Sequence, residues 1–237
     1  MAFAAATAFL FTLVPAAIEG IRHGYESAKG LTPPPPLDLA AFAPYGTIGL
    51  QAILLWGALR GAAAAAGGNI SAGLANRPVK RRGLVTVFAM LILVWDVTAI
   101  AALVWMVQHG GHAPTLSDQL AKMPRAAGAG AIHIALLSLL APVAEELFFR
   151  GWLWGALRKT WSPAPVLCCT SGLWLAMHLL DGSWRAILLL PTAILLGLAR
   201  HHGDSVRASL WPHLMNNSLV VLIQIAALLP ATPAGAG

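Results

Sequence analysis

Charged side chains are scarce in this sequence of 237 residues. Asp, Glu, Lys and Arg together make up 10% of the chain, whereas a soluble domain usually has about 25%. The hydrophobic share is 58%, and most charges lie between long apolar runs, which is the pattern of a polytopic membrane protein. The lack of charge therefore argues against an ordinary soluble domain.

Two further scarcities narrow the classes of function. No basic surface with interleaved aromatic residues accompanies the net charge of +6, so the sequence predicts no nucleic-acid partner. The only two cysteines, Cys168 and Cys169, are adjacent inside an apolar run. Because neighbouring side chains diverge, we expect both to be small packing residues, which indicate nothing about the redox compartment.

The chain contains many apolar runs that are long enough to form membrane helices. Seven of them can be distinguished: Ala2–Ile18, Leu39–Leu59, Gly83–Gln108, Ala126–Trp154, Ser162–Leu180, Ala186–Ala199 and Ala208–Leu229. The first lacks the basic start of a secretory signal, so we interpret it as a retained membrane helix. The sequence predicts an all-α fold, a polytopic membrane helical bundle of about seven to eight transmembrane helices.

The distribution of Lys and Arg over the loops predicts the orientation of the chain. One alternate set of loops contains eight of these residues and the other set contains five. The larger set is Arg77, Lys80, Arg81, Arg82, Arg158, Lys159, Arg200 and Arg207. This bias favours a cytoplasmic N-terminus, and the Ala- and Gly-rich composition favours the cytoplasmic (inner) membrane of a bacterium.

Ionisable residues interrupt the fourth run at Glu145, Glu146 and Arg150. A charge in a bilayer-spanning segment costs several kcal/mol, so it indicates a functional site by default. Glu146 and Arg150 are four residues apart and can pair on one helix face. Glu145 lies about 100° round the helix and points elsewhere. Pro142, just upstream, predicts a kink beside the acids. A purely structural ion pair is the alternative interpretation.

Two later segments carry polar residues at helical spacing. Trp174 and His178 are four residues apart, so the indole can pack against the imidazole and hold it. His213 and Asn217 have the same spacing, which turns both donors to one side, and Pro212 fits the first turn of their helix. Each residue alone could be an interhelical hydrogen bonder or a packing residue.

Two other polar residues lie inside apolar runs. His133 and Asp96 have no obvious partner at helical spacing. We expect both to be structural.

The motifs Glu-Glu-x-x-x-Arg, aromatic-x-x-x-His and His-x-x-x-Asn follow one another over residues 130–222. Their order resembles the CPBP family, which contains the CAAX prenyl endopeptidases of the Rce1 type and the bacterial bacteriocin-processing and Abi proteins. The family usually has Phe where Trp174 stands. Each motif alone is weak, but all three in order at compatible depths are specific.

The resemblance implies a glutamic-type intramembrane endopeptidase without a metal or other cofactor, acting on a membrane-associated peptide or protein. By the resemblance, Glu145 activates water, His178 helps to position that water, and His213 and Asn217 stabilise the oxyanion. Three residues would support the site: Glu146, Arg150 and Trp174.

The implied organisation is one integral membrane domain in two parts. Residues 1–125 supply N-terminal membrane helices and loops, and residues 126–230 form the catalytic core that resembles the CPBP family. The sequence indicates neither the identity of the substrate nor the oligomeric state.

Three alternatives remain open. Glu145, His178 and His213 could be the ligands of a catalytic zinc ion, although the sequence has no His-Glu-x-x-His. The chain could instead be a non-catalytic scaffold that binds a membrane peptide or confers immunity. A transporter would need paired repeats with broken helices, which the sequence does not have.

Overall fold

A computed structural model describes Lys29 and residues 39–110, 136–179 and 183–228. Within these ranges the regular structure is entirely helical. The predicted first helix, Ala2–Ile18, and His133 lie outside the described residues. The all-α class predicted from the sequence is confirmed.

The described helices follow the predicted runs. In chain order they are α1 Leu39–Ala65, α2 Ile70–Gly73, α3 Arg82–Gln108, α4 residues 136–157, α5 Pro163–His178, α6 Ser183–Gly203 and α7 Arg207–Leu228. Helix α2 is a single short turn of helix that lies between the predicted runs Leu39–Leu59 and Gly83–Gln108.

Among the described residues, three helices are long and apolar enough to cross a membrane. These candidate spans are Ile48–Ala65, Arg82–Met106 and Arg185–Gly203, with mean hydropathies of 1.4, 2.4 and 1.3. Helix α3 also exposes large apolar side chains such as Met90 and Val94, as expected of a helix that faces lipid. The structure is thus a helical membrane bundle, and the total of seven to eight spans stays a prediction.

The chain divides into two compact units, residues 1–50 and 51–237. In the first unit the described residues are Lys29 and the beginning of α1. In the second unit, the rest of α1 buries one face along Gln51, Leu54, Ala58 and Ala62. This spacing follows the helical repeat, so the single amide of that face is carried into the interior.

Helix α4 alternates between two helical forms. Leu136–Leu140 and Glu146–Leu153 are π-helical, whereas Ala141–Glu145 and Trp154–Leu157 are α-helical. The wider π-turns are rare and frequently occur at functional sites. The two adjacent glutamates fall at the junction of an α-helical and a π-helical segment, one residue in each.

Helices α1 and α4 approach each other closely through a glycine. A Cβ atom at Gly61 would overlap the indole of Trp152, so only glycine fits at this point. Around it, Ala58, Ala62 and Leu74 form a buried apolar cluster. Such packing holds the buried face of α1 against α4.

Helices α4, α5 and α6 are tied together by polar contacts to backbone carbonyls. The Ala193 carbonyl in α6 accepts hydrogen bonds from Arg150 Nη2 at 3.3 Å and from Ser171 Oγ at 2.9 Å. Arg200 in α6 donates from Nε to the Arg150 carbonyl at 2.7 Å. The carbonyl oxygens thus supply hydrogen-bond acceptors for guanidinium and hydroxyl groups that are buried in the bundle.

The basic segment between α2 and α3 docks on the turn between α6 and α7. Lys80 N donates to the Gly203 carbonyl at 2.9 Å, and Val206 N donates to the Ala75 carbonyl at 3.2 Å. Asp204 also pairs with Arg77 and, at 2.8 Å, with Lys80. We call Arg77, Lys80 and Asp204 the surface ion-pair group.

The position of Pro212 in helix α7 differs from the prediction. The helix starts at Arg207, so Pro212 lies inside the helix and not in its first turn. A proline there removes one i→i−4 hydrogen bond. The expectation that Pro212 sets the start of this helix is wrong, because the turn at 204–206 is fixed by its contacts with the α2–α3 segment.

Candidate active site

The two glutamates of α4 are buried and face different partners. Glu145 keeps 5% of its surface exposed and Glu146 keeps none. Adjacent positions on a helix point about 100° apart. This divergence separates the surroundings of the two carboxylates.

Glu146 is the carboxylate that is paired with arginine. Its Oε1 accepts from Arg150 Nη1 at 3.1 Å, and neither side chain is exposed. The guanidinium also lies 5.2 Å from the centre of the Trp174 ring. The i,i+4 pair predicted from the sequence is confirmed.

Glu145 is held instead by two neutral donors. Gln51 Nε2 of α1 donates to Oε1 at 3.0 Å, and Trp174 Nε1 of α5 donates to Oε2 at 2.6 Å. Gln51 is a site residue that the motifs do not predict, and the spacing of Trp174 predicts only its packing on His178. A signal for Gln51 was available, since it is an amide in the middle of an uncharged apolar run.

Trp174 is the residue that connects the others. Its ring lies 4.3 Å from the His178 ring, centre to centre, so the predicted packing is confirmed. It also meets the His213 ring edge-on at 5.5 Å. With its indole N–H on Glu145 and its face near Arg150, Trp174 contacts four of the predicted site residues.

The hydrogen bond of His178 defines its tautomer. Nδ1 lies 2.9 Å from the Trp174 carbonyl oxygen, and a carbonyl can only accept. Nδ1 therefore carries the hydrogen, and Nε2 carries the lone pair in the neutral ring. His178 is half-buried, so Nε2 is suited to accept a hydrogen bond from a water molecule.

His213 of α7 lies between the two glutamates. Nδ1 is 3.0 Å from Glu146 Oε1, and Nε2 is 3.9 Å from Glu145 Oε2. The side chain is only 2% exposed. The structure thus brings His213 to both carboxylates. We call Glu145, Glu146, Arg150, Trp174 and His213 the buried polar cluster.

Asn217 stands one helical turn after His213. It is half-buried, and the four-residue spacing places it on the same side of α7. Its neighbour Asn216 is buried at 7% exposure. The two amides bring neutral hydrogen-bonding groups to the part of α7 that carries His213.

Several buried polar atoms near this cluster have no hydrogen-bond partner among the described residues. They include Gln51 Oε1, Glu146 Oε2, Arg150 Nε and Asn216 Oδ1. Buried polar groups normally have a partner, and water is a common one. The cluster therefore has unused hydrogen-bonding capacity for water or a polar ligand.

The ligand set of the zinc alternative is not assembled in this structure. Across the described ranges, no group of three or more His, Cys, Asp or Glu side chains is arranged to hold a metal ion. Glu145 and His213 approach each other, but His178 turns its Nδ1 to a carbonyl and packs on Trp174.

Asp96, which we expected to be structural, lies close enough to His213 for an electrostatic interaction. Asp96 is buried in α3 at 9% exposure. Cys168 and Cys169 are both free thiols, as expected of adjacent cysteines.

Fold and site together define a class: an integral membrane helical protein with paired glutamates, a tryptophan and histidines in its interior. Residues 127–219 match a family model described as Rce1-like, type II CAAX prenyl endopeptidase Rce1-like. This segment is therefore similar to that family, and the match confirms the resemblance predicted from the motifs.

The matched segment contains every motif residue from Glu145 to Asn217 but not Gln51. The family is a protease family, which supports hydrolase activity. No curated protein and no solved structure matches the chain.

Proposed function

We propose that this protein is an intramembrane endopeptidase that hydrolyses a peptide bond of a membrane-associated protein or peptide with water activated by Glu145. One observation carries the proposal: the two adjacent carboxylates have different partners. Glu146 is paired with the Arg150 guanidinium, whereas Glu145 is held by the neutral donors Gln51 and Trp174.

This difference suits Glu145 to the role of general base. A base must be ionised and still able to take a proton, and a paired guanidinium opposes protonation. Neutral donors orient the carboxylate without adding a positive charge. Each oxygen of Glu145 accepts one described hydrogen bond, and a carboxylate has about four acceptor positions in all, so capacity remains for a water molecule.

In the proposed reaction, water lies between Glu145 and His178 Nε2. Glu145 takes a proton as the water oxygen attacks the carbonyl carbon of the peptide, and the carbonyl oxygen becomes an oxyanion. Asn217 and His213 donate to that oxyanion. The C–N bond then breaks, and the leaving amine takes the proton from Glu145. The products are a carboxylic acid and an amine.

His213 is positioned by both carboxylates. Its Nδ1 lies 3.0 Å from Glu146 Oε1, and its Nε2 lies 3.9 Å from Glu145 Oε2. Donation to the oxyanion requires a hydrogen on the ring nitrogen that faces it.

The membrane location bears on the class of substrate and on the orientation of the chain. A site inside membrane helices is suited to substrates that are themselves membrane-associated. We propose a cytoplasmic N-terminus in a bacterial inner membrane, as the loop charges favour. Neither a metal ion nor a nucleic acid takes part in the proposed reaction.

The experiment that tests the proposal is peptide mapping of membrane proteins in cells that express either the wild type or Glu145→Gln. The exposed Lys159→Gln variant serves as the control for expression. We expect shortened membrane proteins with the wild type and with the control, and none with Glu145→Gln. Identical peptide patterns in wild type and Glu145→Gln would favour the non-catalytic scaffold.

A further inference from the structure

We infer that a groove between the beginnings of α3 and α7 binds the phosphate headgroup of an anionic phospholipid. The groove has a volume of about 440 Å³. Its polar lining consists of Arg82, Thr86, Arg207 and Trp211, with apolar walls that include Val85. We call this the headgroup groove. It contains no member of the buried polar cluster.

The charges around the headgroup groove favour the binding of an anion. The single acidic residue of the neighbouring surface ion-pair group is Asp204, and its carboxylate is already occupied by Arg77 and Lys80. Within the described parts of the chain, Arg82 has no ion pair. Arg207 donates from Nε to the neutral amide oxygen of Asn76 at 2.6 Å. Two exposed guanidinium groups therefore line one groove without a carboxylate between them.

The bond to Asn76 also fixes how Arg207 is presented. It uses the Nε hydrogen and holds the guanidinium on the turn that begins α7. The terminal nitrogens are then left for an external acceptor. A guanidinium matches the oxygens of a phosphate in a two-point contact.

The position of the groove favours a lipid over a soluble anion. The apolar span of α3 starts at Arg82, so the groove lies where the hydrocarbon region begins. Trp211 is 61% exposed, and exposed tryptophans are typical of the membrane–water interface. Basic pockets between transmembrane helices bind anionic headgroups on the cytoplasmic side, which is where the loop charges place Arg82 and Arg207.

An apolar surface continues from the groove along α3. Met90, Leu93 and Val97 follow Thr86 at helical spacing and are 61%, 43% and 51% exposed. Acyl chains can lie on this surface while the phosphate contacts Arg82 and Arg207. A free phosphate would use only the basic end of this arrangement, so we assign the groove to an anionic phospholipid.

The test compares the wild type with Arg82→Gln/Arg207→Gln in nanodiscs of phosphatidylcholine to which phosphatidylglycerol is added. Bound lipid is counted by native mass spectrometry, and the midpoint of thermal unfolding is recorded. Arg158→Gln/Lys159→Gln is the matched control, since it removes two exposed charges from the same predicted side. Each basic residue near an anionic surface raises affinity by about fivefold, so we expect roughly a 10- to 30-fold loss of phosphatidylglycerol affinity in the groove variant alone.

If the double variant does not fold, the single variant Arg82→Gln still tests the inference. It should fold, because Arg82 is exposed and forms no ion pair among the described residues, and it should lose affinity by about fivefold. Equal binding by wild type and groove variant would overturn the inference. So would an equal loss in the control pair, which indicates diffuse charge, or stabilisation by inorganic phosphate equal to that by the lipid, which indicates a site for a soluble anion.

Discussion

Two groups of ionised side chains in this protein use the same carboxylate–guanidinium chemistry in opposite surroundings. In the buried polar cluster, Glu146 and Arg150 have no exposed side-chain surface. In the surface ion-pair group, the side chains of Arg77 and Asp204 are 53% and 36% exposed. Water can replace a lost partner only in the second group, so similar contacts have unequal consequences for stability and function.

The largest expected effect on stability comes from Arg150→Ala. This change leaves Glu146 buried without its guanidinium and removes a donor from the Ala193 carbonyl. We expect a loss of about 3–5 kcal/mol of unfolding free energy, together with lower activity. Thermal unfolding in detergent measures it, with Arg77→Ala as the exposed control. An unchanged melting temperature would mean that Arg150 contacts substrate instead.

Asn217→Ala tests the proposed oxyanion contact. The lost donor acts mainly in the transition state, so we expect kcat to fall by roughly 10²–10³ while KM changes little. Met215→Ala, an exposed position on the same helix, is the control. If KM rises and kcat is unchanged, Asn217 binds the substrate in its ground state.

Trp174→Phe separates the indole N–H from the indole ring. The ring contacts with His178 and His213 can be kept, but the donor to Glu145 is lost. We expect kcat to fall by about tenfold, which corresponds to about 1.4 kcal/mol, the scale of one hydrogen bond to a charged group. Steady-state kinetics measure the effect. A loss as large as that of Glu145→Gln would show that the indole does more than orient the carboxylate.

The smallest expected effect is that of Asp204→Asn in the surface ion-pair group. Asparagine tolerates the positive φ of 51° at this position. The contacts with Arg77 and Lys80 are exposed and screened, and the buried Arg200 Nη1 is 4.0 Å from Oδ1 but also has the Arg150 carbonyl as a partner of its Nε. We therefore expect a loss of about 1 kcal/mol. A loss as large as that of Arg150→Ala would contradict the contrast between the two groups.

The pH dependence of that small effect has a definite sign. Burial acts to raise the pKa of Asp204, but hydrogen bonds from Lys80 and Arg77 outweigh it and hold the pKa below the ordinary 3.8. A depressed carboxyl pKa stabilises the folded state above the unfolded value and loses that contribution as the pH falls through the folded value. The difference between wild type and Asp204→Asn should therefore be present above pH 3.8 and disappear below it.

Local spacing explains which features the sequence could predict. The Glu146–Arg150 pair and the Trp174–His178 stack are both i,i+4 contacts within one helix. The beginnings of α1, α3 and α5 follow directly from changes in hydropathy. Such features depend on helix geometry alone, so the sequence is sufficient for them.

Contacts between different helices could not be predicted from the spacing of residues within one helix. Gln51 reaches Glu145 across 94 positions of sequence, and His213 reaches Glu146 across 67. No periodicity indicates which face of one helix meets which face of another. The π-helical turns of α4 were missed for a related reason, since tertiary packing and not local propensity decides them.

The most direct test of the central claim is the hydrolysis rate of purified Glu145→Gln relative to wild type, on a membrane peptide that spans a mapped cleavage site. A positioned general base contributes about 10²–10⁴ in rate, so we expect at least a 100-fold lower kcat with an unchanged melting temperature. The wild-type rate should persist with a chelator present. Turnover of Glu145→Gln near the wild-type rate, or loss of wild-type activity on chelation with recovery on adding zinc, would contradict the account.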